Sequence, residues 1–188
     1  MNKKIVHDAL ILMVFSLVLG FALGGVYTLT KKPIEEATRR KELEAYKVVF
    51  ETADTFYEVG VKNAEQVMTE GAFPDVIDKA FEAVDKKGNV IGHVVQLVTK
   101  DGYSGGIVMV VGITSDGIVN GFSVTEHTET SGLGTKAFES DYTDKFKGIP
   151  SSDVSGVGTI TGATKTSTAV INGINAAVAF ANSLGGAQ

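Results

Sequence analysis

The chain has 188 residues and a formal net charge of −5, and 44% of its residues are hydrophobic against 21% charged. This length fits one main domain with an appendage, and the negative charge argues against nucleic acid as a partner, because nucleic-acid binding requires a cationic surface. Cysteine is absent and the histidines are His7, His93 and His127, far apart in sequence, which gives no support to a thiolate, disulfide or histidine metal site. Any redox chemistry must therefore use an organic cofactor.

The first predicted element is a membrane-spanning helix. Residues 9–30 carry no charge, and about 20 apolar residues suffice to cross a bilayer. A cleaved signal peptide is the alternative, but its apolar stretch is shorter, about 7 to 15 residues. We therefore expect residues 1–30 to form a short tail and one retained transmembrane helix. The basic flank that follows would by itself favour a cytoplasmic location for the rest of the chain.

A second helix is predicted after the membrane segment. Over residues 31–57, Pro33 suits a helix start, and apolar residues such as Tyr46 and Phe50 recur at helical spacing. We interpret this segment as an amphipathic stalk helix. Residues 58–74 show no clean period and are expected to form a loop with a short helix.

Two β-hairpins are predicted next. Residues 79–85 and 90–99 are joined by KKGN, and residues 107–114 and 118–127 are joined by SDG, whose Asp-Gly pair suits a tight turn. Two hairpins in succession indicate a mainly antiparallel sheet.

The last part of the chain returns to helical patterns. Phe138, Tyr142 and Phe146 recur at four-residue spacing and predict a short helix, and residues 151–163 are expected to form a loop. A final helix is predicted from about residue 164 to residue 184, because apolar residues follow one face without a proline. The predicted fold class is α+β, with flanking helices on the sheet, behind one membrane helix.

The loop before this final helix reads TITGATKTS, residues 159–167, and its composition raises the question of a phosphate site. A Walker A loop is excluded, because Thr164 stands where its second glycine is required. A dinucleotide-binding fingerprint is excluded as well, since position 161 is threonine and no parallel strand-helix-strand repeat surrounds it. What remains is the N-terminus of the helix, whose free N–H groups and dipole favour an anion.

Three motifs in this order resemble the bacterial FMN-binding domain family. TGATKTS resembles the family's S/T-G-A-T motif, GYSGG (102–106) its GYSGP segment, and EHTETSGLG (126–134) its H-x-E-T-P-G-L-G loop. In this family the last threonine of the first motif carries FMN through a phosphoester. The resemblance implies covalent FMN on Thr164, with Gly162 and Ala163 leaving room for the donor nucleotide.

The same resemblance implies that the motif residues surround the flavin. The expected contacts are Thr161, Gly162, Ala163 and Thr166 in the first motif, Tyr103, Ser104 and Gly105 in the second, and Glu129, Thr130, Gly132, Leu133 and Gly134 in the third. No catalytic residue and no metal ligand is expected. The alternative for each residue is a structural role, with Thr164 as a helix cap and the glycines as turn formers.

With its N-terminal anchor, the chain resembles the G subunits of the Rnf complexes, which are ion-translocating ferredoxin:NAD oxidoreductases, over nearly its whole length. This implies an electron-relay protein without independent turnover. Its partners would be the other membrane and redox subunits of the complex and, transiently, a flavin transferase. The FMN-binding domain, residues 58–188, is expected on the extracytoplasmic side, since large domains translocate largely regardless of charge.

Other functions are compatible with the same pattern. The first is an FMN protein similar to the C subunits of the sodium-pumping NADH:quinone oxidoreductases, or a stand-alone anchored FMN domain. The second belongs to a different class and is an anchored extracytoplasmic binding or scaffold domain in which the TGAT loop only caps a helix.

Overall fold

The computed structural model describes residues 3–185 and divides between Lys41 and Glu42 into two compact units. Helix α1 spans Lys3–Val49. Within the described chain it is the one helix long and apolar enough to cross a membrane, with a mean hydropathy of 2.5 in its most apolar window. None of that window is buried. The predicted membrane segment therefore has a helix of the required length and composition.

Six strands form one antiparallel sheet in chain order. They are β1 (Thr55–Val59), β2 (Val76–Val84), β3 (Val90–Thr99), β4 (Ile107–Thr114), β5 (Ile118–Glu126) and β6 (Ile149–Pro150). Both predicted hairpins and the α+β class are confirmed. Thr99 pairs with Ile107, and Val108 pairs with Glu126, so the loops after β3 and after β5 leave the sheet at the same end.

The helix expected over residues 31–57 ends earlier than the sequence pattern indicates. Helix α1 stops at Val49, and Thr55–Val59 is strand β1, paired with β2. The chain joins the sheet where the Asp54 N–H donates to Val84 O at 2.8 Å. The helical spacing of apolar residues runs past this point, but TFYEV is rich in β-branched and aromatic residues, and pairing with the sheet overrides the helical pattern.

Helices and short 3-10 segments surround the sheet. Helix α2 spans Ala64–Glu70 within the predicted loop, and α4 spans Thr164–Gly185, so the final helix begins at the predicted residue. The short helix predicted around Tyr142 is divided into three pieces, which are the 3-10 segment Gly134–Phe138, helix α3 (Ser140–Thr143) and the 3-10 segment Asp144–Phe146. A further 3-10 segment, Ser151–Gly156, precedes the loop to α4.

The core lies on both faces of the sheet. On one face, α4 contributes Val170, Ile174 and Phe180 to a cluster that includes Leu97 and Met109 from the strands, all fully buried. This packing fixes α4 on the sheet, and with it the position of the TITGATKTS loop that leads into the helix.

The opposite face is covered by the last turns of α1. Tyr46, Val49 and Phe50 are buried with Val94 and Val110 of the sheet. The Tyr46 hydroxyl also donates to Gln96 Oε1 at 2.9 Å, and burial raises the pKa of Tyr46 above its ordinary value. The end of α1, from Glu42, is thus part of the same compact unit as the sheet.

Candidate functional site

Three loops meet at the end of the sheet where β3 and β5 finish and α4 begins. They line an open pocket of about 590 Å³. Its lining residues are Tyr103, Glu129, Thr130, Leu133, Gly134, Gly162, Ala163, Thr164, Lys165 and Thr166. All three sequence motifs contribute to this lining, so the fold brings together segments that are distant along the chain.

Glu129 connects the three motifs through hydrogen bonds. It is 7% exposed, and its Oε1 accepts the backbone N–H groups of Tyr103 at 2.8 Å and Ser104 at 3.2 Å. Its Oε2 accepts the Thr166 hydroxyl at 2.7 Å. Hydrogen bonds to a carboxylate are stronger than those between neutral groups, and a buried charge requires them. The side chain therefore fixes the GYSGG loop and the first turn of α4 relative to its own loop.

Two glycines let the backbone pass close to this carboxylate. A Cβ added at Gly134 would lie 2.6 Å from Glu129 Oε2, and one added at Gly102 would lie 2.8 Å from Oε1. Both distances are shorter than real Cβ contacts, and a Cβ at Gly102 would also lie 2.2 Å from the backbone oxygen of Gly105, so a larger residue at Gly134 would displace the carboxylate and one at Gly102 would displace the backbone as well. These glycines therefore serve the hydrogen-bonded cluster around Glu129.

The backbone turn before the final helix has free space around Gly162. Gly162 has a φ of 84°, in the left-handed region that favours glycine. A Cβ added there would meet no atom within 4 Å. The turn therefore leaves open space beside the neighbouring, exposed Thr164.

Two hydroxyl groups at the start of α4 are committed to structural roles. Thr166 is 2% exposed and bonded to Glu129. Ser167 is fully buried, donates to Ala163 O at 2.9 Å and accepts the Ile160 N–H at 3.1 Å. Both hydroxyl groups are therefore buried and already hydrogen-bonded within the protein.

Thr164 differs from its neighbours because it is exposed, lines the pocket and begins α4. Its Oγ1 makes one long hydrogen bond, to Ile160 O at 3.4 Å. Thr159, Thr161 and Thr168 are also exposed but do not line the pocket. Thr164 is therefore the hydroxyl of this segment that a molecule in the pocket can reach.

The first turn of α4 presents backbone N–H groups and a cation to the pocket. The first helical N–H with a backbone acceptor is that of Ser167, bonded to Ala163 O at 2.9 Å. Within residues 3–185, no acceptor is found for the N–H groups of Thr164, Lys165 and Thr166. The Lys165 ammonium has no ion-pair partner in the same described range. Free N–H groups, the helix dipole and a cation together favour a bound anion.

Large apolar surface lies in the same pocket. Tyr103 is 69% exposed and Leu133 is 52% exposed. An anion-binding helix end beside aromatic and aliphatic side chains suits a ligand that combines a phosphate with an apolar ring. Thr130 adds an exposed hydroxyl to the lining.

The structure places the remaining predicted residues beside the pocket. Ser104, Gly105, Gly132 and Thr161 belong to the same loops without lining the pocket, whereas all other predicted site residues line it. Lys165 also lines the pocket, although the sequence motifs predict no role for it. Lysine is a common phosphate-binding residue, so its place next to a phosphate motif could have indicated one. In the described part of the chain no cluster of metal-ligating side chains occurs. His127 contacts Phe138, with the two ring centroids 4.8 Å apart and the ring planes tilted by 46°.

Two family models match the chain. The model described as the FMN-binding domain matches residues 102–179, which contain all three motifs, and the model described as the RnfG N-terminal region matches residues 1–49. The pocket therefore lies within the segment that matches an FMN-binding domain.

Full-length relatives agree with these matches. The chain is 31% identical over 186 residues to the G subunit of an ion-translocating oxidoreductase complex from Methanosarcina acetivorans, covering 95% of each chain. It is 29% identical over 188 residues to the G subunit of a Na(+)-translocating ferredoxin:NAD(+) oxidoreductase complex from Acetobacterium woodii, covering 94% of this chain and 91% of the relative. The G subunit of a proton-translocating ferredoxin:NAD(+) oxidoreductase complex from Clostridium ljungdahlii is also 29% identical, over 168 residues, with 85% and 82% covered. The chain therefore belongs to the RnfG family, the G subunits of the ion-translocating Rnf oxidoreductase complexes, and it contains that family's FMN-binding domain.

Proposed function

We propose that this protein carries FMN covalently on Thr164 and relays electrons between other redox subunits of a membrane-bound, ion-translocating ferredoxin:NAD oxidoreductase complex. The relatives with this activity in their names match along most of the chain, and the pocket lies in the FMN-binding domain. When bound, FMN supplies the reversible uptake of electrons. The chain itself supplies the membrane anchor and the pocket.

The residues of the pocket fit FMN. The free N–H groups of the first turn of α4 and the Lys165 ammonium suit its phosphate. The exposed side chains of Tyr103 and Leu133 offer apolar surface for its ring. Glu129 holds the loops that carry these groups, because its carboxylate bonds to both the GYSGG loop and α4.

The assignment of Thr164 as the attachment residue rests on its exposure and its position. Thr164 combines an exposed hydroxyl, a place in the pocket lining and a position at the start of a long helix. A phosphate on this oxygen would lie beside unpaired N–H groups. The nearby Thr166 and Ser167 hydroxyls are buried and hydrogen-bonded, and Thr161 and Thr168 lie outside the lining.

Formation of the bond requires a second protein. In the described residues, the hydrogen-bond partner of Thr164 Oγ1 is the carbonyl of Ile160, and a carbonyl oxygen does not remove a proton from a hydroxyl at neutral pH. We infer that a flavin transferase activates this hydroxyl and uses FAD as the FMN donor. The open backbone at Gly162 leaves space for that enzyme.

We place the FMN-binding domain on the extracytoplasmic side of the membrane. The single membrane-crossing candidate of the described chain, α1, precedes it, and domains of this size translocate largely regardless of the charges on the flank. Delivery of FMN by a dedicated transferase and its covalent retention are useful on a side where free FMN would be lost.

The test of this function is covalent labelling. The full chain produced with a flavin transferase should give a fluorescent band on a denaturing gel and an intact mass raised by one FMN less one water. Peptide mapping should place FMN on Thr164, and Thr164→Ala should abolish the band while the protein remains folded. A band that persists in Thr164→Ala would overturn the attachment site, and a colourless, unlabelled parent protein would overturn the flavoprotein assignment.

A further inference from the structure

We propose that Lys165 is the residue that recognises the flavin-side phosphate, during transfer of FMN to Thr164 and after it. This inference rests on the proposed function. Lys165 follows the attachment residue, lies in the first turn of α4, is exposed, and lines the pocket. Its side chain makes no ion pair within residues 3–185, so its charge is available to a ligand.

Lys165 offsets negative charge in the pocket. Glu129 brings a carboxylate into the same lining. Its two oxygens accept three hydrogen bonds, all from uncharged donors. An incoming diphosphate is therefore repelled by Glu129, while the backbone N–H groups of α4 offer only partial positive charges. Lys165 is the cationic side chain among the lining residues, and it offsets this repulsion at the position where the phosphate must arrive.

The transfer step has a defined charge change. The Thr164 Oγ forms a bond to the flavin-side phosphorus of FAD, and the bond from that phosphorus to the bridging oxygen of the diphosphate breaks. AMP leaves with the bridging oxygen, and the hydroxyl proton passes to the base of the flavin transferase. The product on the chain is a singly charged phosphodiester next to Lys165. Lys165 thus faces negative phosphate oxygens before and after the step.

The first experiment measures the initial rate of flavinylation with purified flavin transferase and FAD, using the full chain in detergent and in-gel fluorescence. Lys165→Gln should label about three- to tenfold more slowly than the parent, as expected for the loss of one unit charge beside a phosphate in a solvent-exposed pocket. Lys165→Glu should be slower still, and Lys165→Arg should restore most of the rate. Lys86→Gln, in the exposed turn between β2 and β3, is the matched control and should label at the parent rate. Raising the salt concentration should reduce the difference between parent and Lys165→Gln.

The second experiment measures the phosphodiester after attachment. The ³¹P resonance of the flavinylated chain should shift in Lys165→Gln and stay unchanged in Lys86→Gln. A parent-like labelling rate for Lys165→Gln, a rate for Lys165→Arg as low as that for Lys165→Gln, or an unchanged ³¹P resonance would each overturn the role of Lys165. Labelling of the parent with Thr164 as the attachment residue would in those cases still support the proposed function. An unlabelled parent would overturn both.

Discussion

The Thr166 hydroxyl donates to Oε2 of Glu129 at 2.7 Å, joining two residues that are 37 positions apart in the chain. Both residues are buried, with exposures of 2% and 7%. The other carboxylate oxygen accepts the N–H groups of Tyr103 and Ser104. One side chain therefore holds the start of α4 against the GYSGG loop, and the pocket keeps its shape through this shared carboxylate.

Replacing Thr166 by valine tests this cluster. The substitution keeps the shape of the side chain but removes the donor, so a buried carboxylate loses one of its hydrogen bonds. We expect the free energy of unfolding to fall by about 1 to 3 kcal/mol, measured by denaturant unfolding of the full chain in detergent. Thr168→Val is the control, because Thr168 is exposed and lies in the same helix. Equal effects in the two variants would contradict the role of the bond.

A substitution at Gly134 tests the close contact between the backbone and the Glu129 carboxylate. In Gly134→Ala the new Cβ would lie 2.6 Å from Oε2 and 3.0 Å from Thr166 Oγ1, so the hydrogen bond between them must shift. We expect a loss of about 1 to 3 kcal/mol in unfolding free energy and slower flavinylation. Gly158→Ala is the matched control, since a Cβ at Gly158 meets no atom within 4 Å. A parent-like Gly134→Ala protein would show that the carboxylate moves without cost.

The parts of the fold that the sequence predicts are those determined by local patterns. The start of α4 at Thr164 follows from the change between a glycine-containing loop and a regular apolar face. The two central hairpins follow from strand-forming runs joined by short turns. The gathering of three motifs in one pocket is predicted only through the resemblance to a family.

The parts that the sequence does not predict depend on contacts between distant residues. The helical spacing continues beyond Val49, but Thr55–Val59 pairs with β2, and no local pattern shows that partner. Similarly, the triple hydrogen bonding of Glu129 depends on a loop that precedes it in the chain and on a helix that follows it. The availability of the Lys165 charge is likewise visible only in the folded chain, where no acidic side chain of the described residues pairs with it.

Leu133 tests the contact between the third motif and the flavin ring. Leu133→Asp places a negative charge in the pocket, which opposes the addition of electrons to the flavin. We expect the midpoint potential of the flavinylated chain to fall, on the order of 30 mV for a unit charge at a solvent-exposed contact distance, with the covalent band retained. Val90→Asp, at an exposed position on β3 outside the pocket, should leave the potential unchanged. A parent-like potential and absorption spectrum for Leu133→Asp would exclude it as a ring contact.

The membrane orientation can be tested with reporter fusions. Alkaline phosphatase attached after Gln188 should be active, because this enzyme requires export and we place the FMN-binding domain outside the cytoplasm. The same fusion without residues 1–30 should be inactive, since the helix that leads export is missing. An active cytoplasmic reporter at the same point of the full chain would reverse the assignment.

Asp75 provides a prediction about pH. It is 4% exposed, and Thr99 and the backbone of Lys100 lie next to its carboxylate. Burial is the main cause that raises the pKa of Asp75 above its ordinary value, with Asp101 adding to the rise and Thr99 and Lys100 opposing it. A folded-state pKa above the unfolded value means that the folded protein holds this proton more tightly than the unfolded chain.

The sign of the pH effect follows from that difference. The contribution of Asp75 to stability is fully present below its unfolded pKa, near pH 4, and is lost as the pH rises through the higher folded value, because a charged carboxylate must then be buried. Asp75→Asn cannot ionise, so the unfolding free energy of the variant minus that of the parent should increase as the pH rises above about 4 and should level off once the pH exceeds the raised folded-state pKa of Asp75. Comparing the two proteins at each pH in denaturant unfolding cancels the titration of all other groups. Asp116→Asn, in the exposed turn between β4 and β5, should show no such increase. The prediction is wrong if the difference in unfolding free energy between Asp75→Asn and the parent stays constant or decreases as the pH rises. Folding would then not tighten the binding of the proton on Asp75.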